Sequence, residues 1–272
     1  MTKPSGRQIV FLVVALAVTL PVLLQLHPAN EPSDETRNFF AAIDSLPAGA
    51  TILVSFDFEA SAYAEIKPLG DALVRHAFAR NVRILGLSLF AEGTALGAQL
   101  LQSAADEAGK TYGVDYAFLG FRPQFRSAIL ALADTITKEF PSDYYGRRSA
   151  GLPLLREVVN YDNLAFVVSL ADGSMPTYWV EHAVLPYKVR LLTMLTATMA
   201  TSFSPYISSG QIVALASGLK GAAEYETLLK QPAAGARGMF ALSVAQIVIV
   251  LIIVAGNVAD RRRRSTSPEA GN

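Results

Sequence analysis

The sequence predicts an α/β domain of the three-layer, Rossmann-like or flavodoxin-like kind, with a mostly parallel sheet of about five strands, flanked by two transmembrane helices. Three observations predict it. Two uncharged apolar stretches lie near the ends of the chain, Ile9 to Leu26 and Met239 to Val258. Between them, short apolar runs alternate with segments of helical periodicity, the pattern of βαβ units whose right-handed crossovers build a sheet covered on both faces. The 272 residues are 51% hydrophobic and only 17% charged, where soluble domains carry about 25% charged residues. With mean hydropathy of +0.33, that composition excludes disorder and collagen-like structure. A formal charge of zero argues against a nucleic-acid partner, and the lack of cysteine excludes a disulfide scaffold.

Residues 1–8 read as a cytoplasmic tail carrying Lys3 and Arg7. The run 9–26 would cover roughly 27 Å as a helix, close to the hydrocarbon thickness of about 30 Å. Pro21 falls in its last third, where one lost backbone hydrogen bond is tolerated. A cleaved signal peptide would share the basic start. The stretch Leu26-His27-Pro28-Ala29-Asn30 lacks the paired small residues of a cleavage site, so an uncleaved anchor is expected. The second span, 239–258, is followed by Asp260 and by Arg261 to Arg264, a strong cytoplasmic marker. Both termini are therefore expected inside, in the basic tails 1–8 and 259–272, and residues 27–238 outside. The tails hold six basic and two acidic residues against 17 and 21 between them, so the neutrality of the chain is a cancellation across a membrane. The Ala- and Arg-rich, cysteine-free style suggests a bacterial inner membrane facing a periplasm.

Asn30 to Asp34 reads as a linker, and Gln231 to Gly238 as its counterpart before the second span. Ala50 to Asp57 is an apolar run long enough for a strand buried on both faces. Ala62 to Arg80 then places Ile66, Leu69, Leu73 and Ala77 on one helical face. Val82 to Phe90 is the second strand and Thr94 to Ala108 the second helix. Val114 to Phe121 and Phe125 to Phe140 form the third pair. After a long loop, Asn163 to Leu170 is a fourth strand and Pro176 to Lys188 a shorter helix. Val189 to Ala197 is a fifth strand, followed by helical material from Pro205 to Lys230 interrupted at Gly210, Gly218 and Gly221. The 29 uncharged residues from Leu191 to Leu219 could pass for a third span. Their Thr and Ser content, with Pro205 and Gly210, favours a buried strand, a loop and a helix.

Ligands of an open parallel sheet bind beyond the carboxyl ends of its strands. That rule selects Asp57 and Glu59, Ser88 to Thr94, Phe121 to Pro123 with Arg122, Asp172 with its neighbours, and Thr201 to Ser209 with Ser204. The sharpest motif is Phe56-Asp57-Phe58-Glu59 at the end of the first strand. It resembles the first motif of the haloacid-dehalogenase-like phosphohydrolases. The resemblance implies that Asp57 would attack phosphorus and Glu59 would handle the leaving-group proton, with Ser88 contacting phosphate and Asp172 binding magnesium. Glu59 stands where that family favours Asp, Ser61 is one place late, Lys110 lies in a turn, and Asp172 has no acidic neighbour. The plain alternative is that these acids cap the following helices.

Other motifs are incomplete. Gly109-Lys110-Thr111 follows a helix where a phosphate-binding loop must follow a strand, and Ala104 replaces its first glycine. No G-x-G-x-x-G fingerprint occurs, and Gly86-Leu-Ser88-Leu-Phe90 lacks the final glycine of a nucleophile elbow. His27, His76 and His182 are not spaced as metal ligands, so no metal or cofactor is expected, with magnesium implied only by the phosphohydrolase resemblance.

The loop Pro141 to Asp162 concentrates Tyr144, Tyr145, Arg147, Arg148 and Tyr161, and Trp179 follows the fourth strand. These are the residue types of binding hot spots, and the loop is long enough to be functional. The hydroxyls Thr201, Ser204 and Ser209 could hold a ligand at the end of the fifth strand. In the second span the small residues Ala241, Ser243 and Ala245 would permit close helix packing. The expected function is that of a non-catalytic subunit or accessory protein whose extracytoplasmic domain binds a partner protein or small ligand in the cell envelope. The alternatives are an anchored phosphohydrolase using Asp57 and a solute-receptor domain.

Overall fold

The computed structural model describes residues 5–24 and 31–266. The chain forms two compact units, residues 30–235 and the flanking segments 1–29 with 236–272. Helix α1 (Gly6–Leu23) is opened by a reciprocal cap between Ser5 and Gln8. It contains Pro21, which is buried while most of the helix is exposed. The last residues of the predicted span, Gln25 and Leu26, lie outside the described residues, as do Lys3, His27 and the linker residue Asn30.

Helix α2 (Asp34–Asp44) is not anticipated by the sequence reading. Ser33 caps it, Asp34 and Glu35 complement its first-turn dipole, and Phe39 and Ile43, four apart, bury one face. Those signals are all present in the sequence. The expected linker obscured them.

The sheet unit continues with β1 (Thr51–Asp57), α3 (Tyr63–Ala79), β2 (Arg83–Ser88), α4 (Ala91–Glu107) and β3 (Tyr116–Phe121). The predicted helix 125–140 divides into α5 (Phe125–Ala131) and α6 (Ile136–Glu139). Thr135 is extended, and the Ile136 N–H donates to Val159 O at 2.8 Å, which draws the chain away from the helical path. Then come α7 (Pro153–Glu157), β4 (Phe166–Ala171) and α8 (Met175–Trp179), which runs through a π-helical turn at Val180–Val184 into α9 (Leu185–Tyr187). The unit ends with β5 (Leu191–Leu195), α10 (Ala197–Ala200), α11 (Ser204–Ser208), β6 (Ala214–Ser217) and α12 (Gly218–Leu228), before α13 (Ala234–Thr266).

All strands are parallel, in the order β3-β2-β1-β4-β5-β6. The sheet is thus α/β and consistent with a Rossmann-like domain, with six strands where the sequence reading counts about five. The extra strand is the four-residue Ala-Leu-Ala-Ser segment, placed by the reading within helical material. A run so short has no measurable period, and only its pairing with β5 from Leu192↔Ala214 to Leu195↔Ser217 defines it. The uncharged stretch 191–219 therefore contains two sheet strands, the short helices α10 and α11 joined by a 3-10 turn, and the first residues of α12, and no membrane span.

Every residue of β1 is buried, as a central parallel strand requires. Ile52, Val54 and Phe56 face one layer with Phe39, Leu69, Leu73, Leu101 and Tyr225. Leu53 faces the other with Ile129, Leu155, Trp179 and Phe203. Gly93 fixes the approach of α4 to the end of β1, since a Cβ there would lie 2.2 Å from the Phe56 carbonyl oxygen.

Outside the sheet unit, α1 and residues Ala234–Arg262 of α13 are each long and apolar enough to cross a membrane. Ala241 and Ala245, one turn apart, are buried on a helix whose other apolar residues are largely exposed, and Ser243 turns its hydroxyl back onto the Met239 carbonyl.

Candidate functional site

The strand order has one switch point. From β1 the chain crosses through α3 to β2 on one side, and from β4 it crosses through α8 and α9 to β5 on the other. Adjacent strands whose connections diverge leave a crevice at their carboxyl ends. A cleft of about 400 Å³ lies there, lined by Asp57, Glu59, Phe90, Phe125, Asp172, Gly173, Ser174, Met175 and Tyr178.

Asp57 is the last residue of β1 and is almost fully buried. The Ser55 hydroxyl donates to its Oδ2 at 2.5 Å and the Leu89 N–H to its Oδ1 at 2.7 Å. Burial pushes the carboxyl up to about 6. The two hydrogen bonds oppose that rise, the nearby Trp179 indole N–H opposes it further, and the charge of Asp172 adds to it. The Trp179 Nε1 reaches no acceptor within hydrogen-bonding geometry among the described residues.

One layer below Asp57, Ser55, Ser169 and Thr193 stand in register across β1, β4 and β5. All three are buried, and the Ser169 and Thr193 hydroxyls have no hydrogen-bond partner among the described residues. The strand layer beneath the lining acid Asp57 is therefore more polar than the rest of this core layer.

The other acids at this end of the sheet hold backbone. Asp172 Oδ2 accepts from the Glu59 N–H at 2.9 Å, Glu92 Oε2 from the Ala60 N–H at 3.1 Å, and Glu65 Oε1 from the Ala197 N–H at 2.7 Å. Asp172 and Glu59 thus meet across the β1–β4 boundary, and the Glu59 carboxylate remains exposed in the cleft. Among the described residues, no three His, Asp or Glu side chains converge into a metal-holding group.

Of the sequence-predicted site residues, Asp57, Glu59 and Asp172 come together. Ser88 is buried beside them, but its single hydroxyl proton is shared between the carbonyls of Phe56 and Phe90. Thr94 bonds Phe90 O at 3.3 Å from within α4. Arg122 pairs with Glu139 at 2.7 Å and lies over the Phe140 ring, so it is tied to the α6 region. Thr201, Ser204 and Ser209 are exposed on the β5–β6 connection and do not line the cleft. Of the aromatic lining, Phe90 falls within the strand-end segment Ser88 to Thr94 that the sequence selects, while Phe125, Tyr178 and Met175 are not among the predicted site residues. Tyr178 is nonetheless legible as a large apolar group past a strand end.

The Tyr- and Arg-rich loop is well organised. Asp143 accepts from Tyr112 OH and from the Tyr145 and Arg147 N–H groups, and the Tyr144 N–H donates to Phe118 O on β3. Burial, with the bond to Asp143, pushes the Tyr112 phenol well up. The loop covers an edge strand that would otherwise offer open backbone groups. Arg147 lies 4.6 Å from the Tyr112 ring centroid, and Tyr144, Tyr145, Arg147 and Arg148 remain exposed. Tyr161 and Trp179 do not join that surface. Tyr161 is buried with its hydroxyl on Ile129 O, and Trp179 is fully buried.

His76 is buried, paired with Tyr225 OH at 2.8 Å and Asp44 at 3.3 Å, and burial lowers its pKa. It serves packing. The chain matches no protein-family model, no curated protein and no solved structure.

Proposed function

We propose that the chain is a two-span membrane protein whose α/β domain lies outside the cytoplasm and binds a small ligand in the cleft between β1 and β4, as a non-catalytic accessory of an envelope complex. The observation that carries the reading is the cleft itself, a concave site at the switch point with aromatic walls and a few polar groups, the usual make-up of a ligand pocket. Support for the orientation comes from Lys3, Arg7 and the four arginines after the second span, which bias both termini inward. Tyr144, Tyr145, Arg147 and Arg148 supply an exposed surface with hot-spot chemistry for a protein partner. The test is a thermal-shift screen of the full chain in lipid nanodiscs against a metabolite library, repeated on Tyr178→Ala. Stabilising compounds that lose their effect in the variant are expected. Compounds that stabilise both proteins equally would remove the cleft from the reading.

A second reading, the anchored phosphohydrolase, is favoured by one observation. Asp57, Ser88 and Asp172 lie at the ends of three adjacent strands, β1, β2 and β4. Against it, both Asp57 oxygens already accept hydrogen bonds and the Ser88 hydroxyl is spent on backbone carbonyls. Incubation with a generic phosphate ester and magnesium separates the two. Turnover that Asp57→Asn abolishes would establish the enzyme.

A further inference from the structure

We propose that the ligand of the β1–β4 cleft is a small organic cation, an ammonium or guanidinium carried on an apolar body. This rests on the reading of that cleft as a binding site and names what it selects. Its lining holds three carboxyl groups, Asp57, Glu59 and Asp172, and no Lys, Arg or His. A phosphate or carboxylate ligand would find no cation among the lining residues and would lie against like charge. A neutral apolar ligand would strip water from the carboxylates without replacing their hydrogen bonds.

A hydrated metal ion is also disfavoured by the partners already in place. Asp57 spends both oxygens on Ser55 and Leu89, and Asp172 spends one on the Glu59 N–H. The remaining walls, Phe90, Phe125, Met175 and Tyr178, cannot replace the hydration shell of a hard ion. They suit a weakly hydrated organic cation, which gains from ring faces as well as from carboxylates.

Two independent observations point the same way. The guanidinium of Arg126, outside the cleft lining, lies 5.1 Å from the Tyr178 ring centroid and 5.8 Å from that of Phe125. These two walls of the cleft therefore already stack with a cation. One layer below Asp57, the fully buried Ser169 hydroxyl lacks a partner among the described residues. Its oxygen is free to accept a hydrogen bond, and an ammonium or guanidinium is a donor only.

Trp179 is the only tryptophan of the chain and adjoins Asp57, so its fluorescence reports on the site. The full chain in nanodiscs of neutral lipid is titrated with choline, with agmatine, with the uncharged isostere of choline in which carbon replaces nitrogen, and with inorganic phosphate. A saturable change with choline or agmatine is expected, with the isostere weaker by about tenfold or more. Asp172→Asn and Tyr178→Ala should each weaken the cation by about tenfold. Binding of the isostere as tightly as choline, or of phosphate alone, in a manner that Tyr178→Ala abolishes, would overturn the cationic class while leaving the cleft a ligand site. No response to either cation at millimolar concentration would overturn the proposal. If the library screen on Tyr178 also found nothing, the cleft reading would fall with it.

Discussion

Two buried acids in the sheet unit, Asp57 and Glu224, are held in opposite ways. Both are almost fully buried. At Asp57 burial dominates, and two hydrogen bonds leave the carboxyl raised to about 6. At Glu224, on α12, burial also pushes upward. Hydrogen bonds from Ser33 Oγ at 2.6 Å and Thr36 Oγ1 at 2.7 Å, with Lys220 Nζ 3.6 Å away, outweigh it and hold the carboxyl below its usual value. Glu224 ties the start of α2 to α12, and two residues on, Glu226 accepts from the Ala233 and Gly235 N–H groups at the start of α13. One carboxylate is thus held in its charged form where its Oε2 fastens structure, although its Oε1 has no hydrogen-bond partner among the described residues, and the other is left costly to ionise at the cleft. An acid costly to ionise at a cleft and one kept charged in a contact between helices is the division expected between function and support.

The largest expected effect removes the framework of the cleft. Gly93→Ala would press a methyl group onto the Phe56 carbonyl oxygen, and because backbone must move, a loss of about 3 kcal/mol or more is expected in chemical denaturation. Ligand-induced Trp179 fluorescence should be lost with it. If stability is unchanged, α4 does not fix the cleft as described.

Next, Glu224→Ala should cost about 2 to 3 kcal/mol by leaving two hydroxyls without their shared acceptor. The same carboxylate has a pH signature. Its folded-state pKa lies below the unfolded value, so its contribution is complete above that value and fades as pH falls through the folded one. Unfolding curves of Glu224→Gln should converge on those of the parent in acid. Divergence there would break the contrast with Asp57.

Asp57→Asn should act with the opposite sign. The folded carboxyl keeps its proton up to about pH 6 while the unfolded one releases it near 3.8, so the parent loses stability as pH rises through that window. The variant should therefore be more stable by about 1 to 2 kcal/mol at pH 7.5, with the gain gone below pH 4. A destabilised variant at neutral pH would show that the Ser55 and Leu89 bonds outweigh burial. Smallest is Ser33→Ala, expected to cost about 1 kcal/mol through the loss of a helix cap and one bond to Glu224. Combined with Glu224→Ala it should add less than its separate cost, since the bond to Glu224 is already gone and only the cap remains to be lost.

Much of the fold is legible along the chain because central parallel strands are continuous apolar runs and their crossover helices are amphipathic. Thr51–Asp57, Tyr63–Ala79, Arg83–Ser88 and Ala91–Glu107 fall within a few residues of where the pattern puts them. The misses have local causes. Ala214–Ser217 is too short to show a period, and Ile136 leaves the helical path for a bond to a distant carbonyl. Of the site, the acids after β1 and β4 could be found by the strand-end rule alone. Ser88 and Arg122 satisfied that rule equally well, and only their partners show that one serves backbone carbonyls and the other Glu139.

By itself the sequence determined the two apolar helices, the α/β class and the position of acids at strand ends, because hydrophobic spacing and charge are local properties of the chain. The tertiary structure decided the strand order, and with it which ends share a crevice. It also decided that Phe90, Phe125 and Tyr178 wall that crevice, that Trp179 is buried beside Asp57, and that two acids both nearly closed to solvent carry opposite shifts. Those outcomes depend on which groups meet across 30 to 190 residues of chain, and desolvation and hydrogen bonding act only once they do.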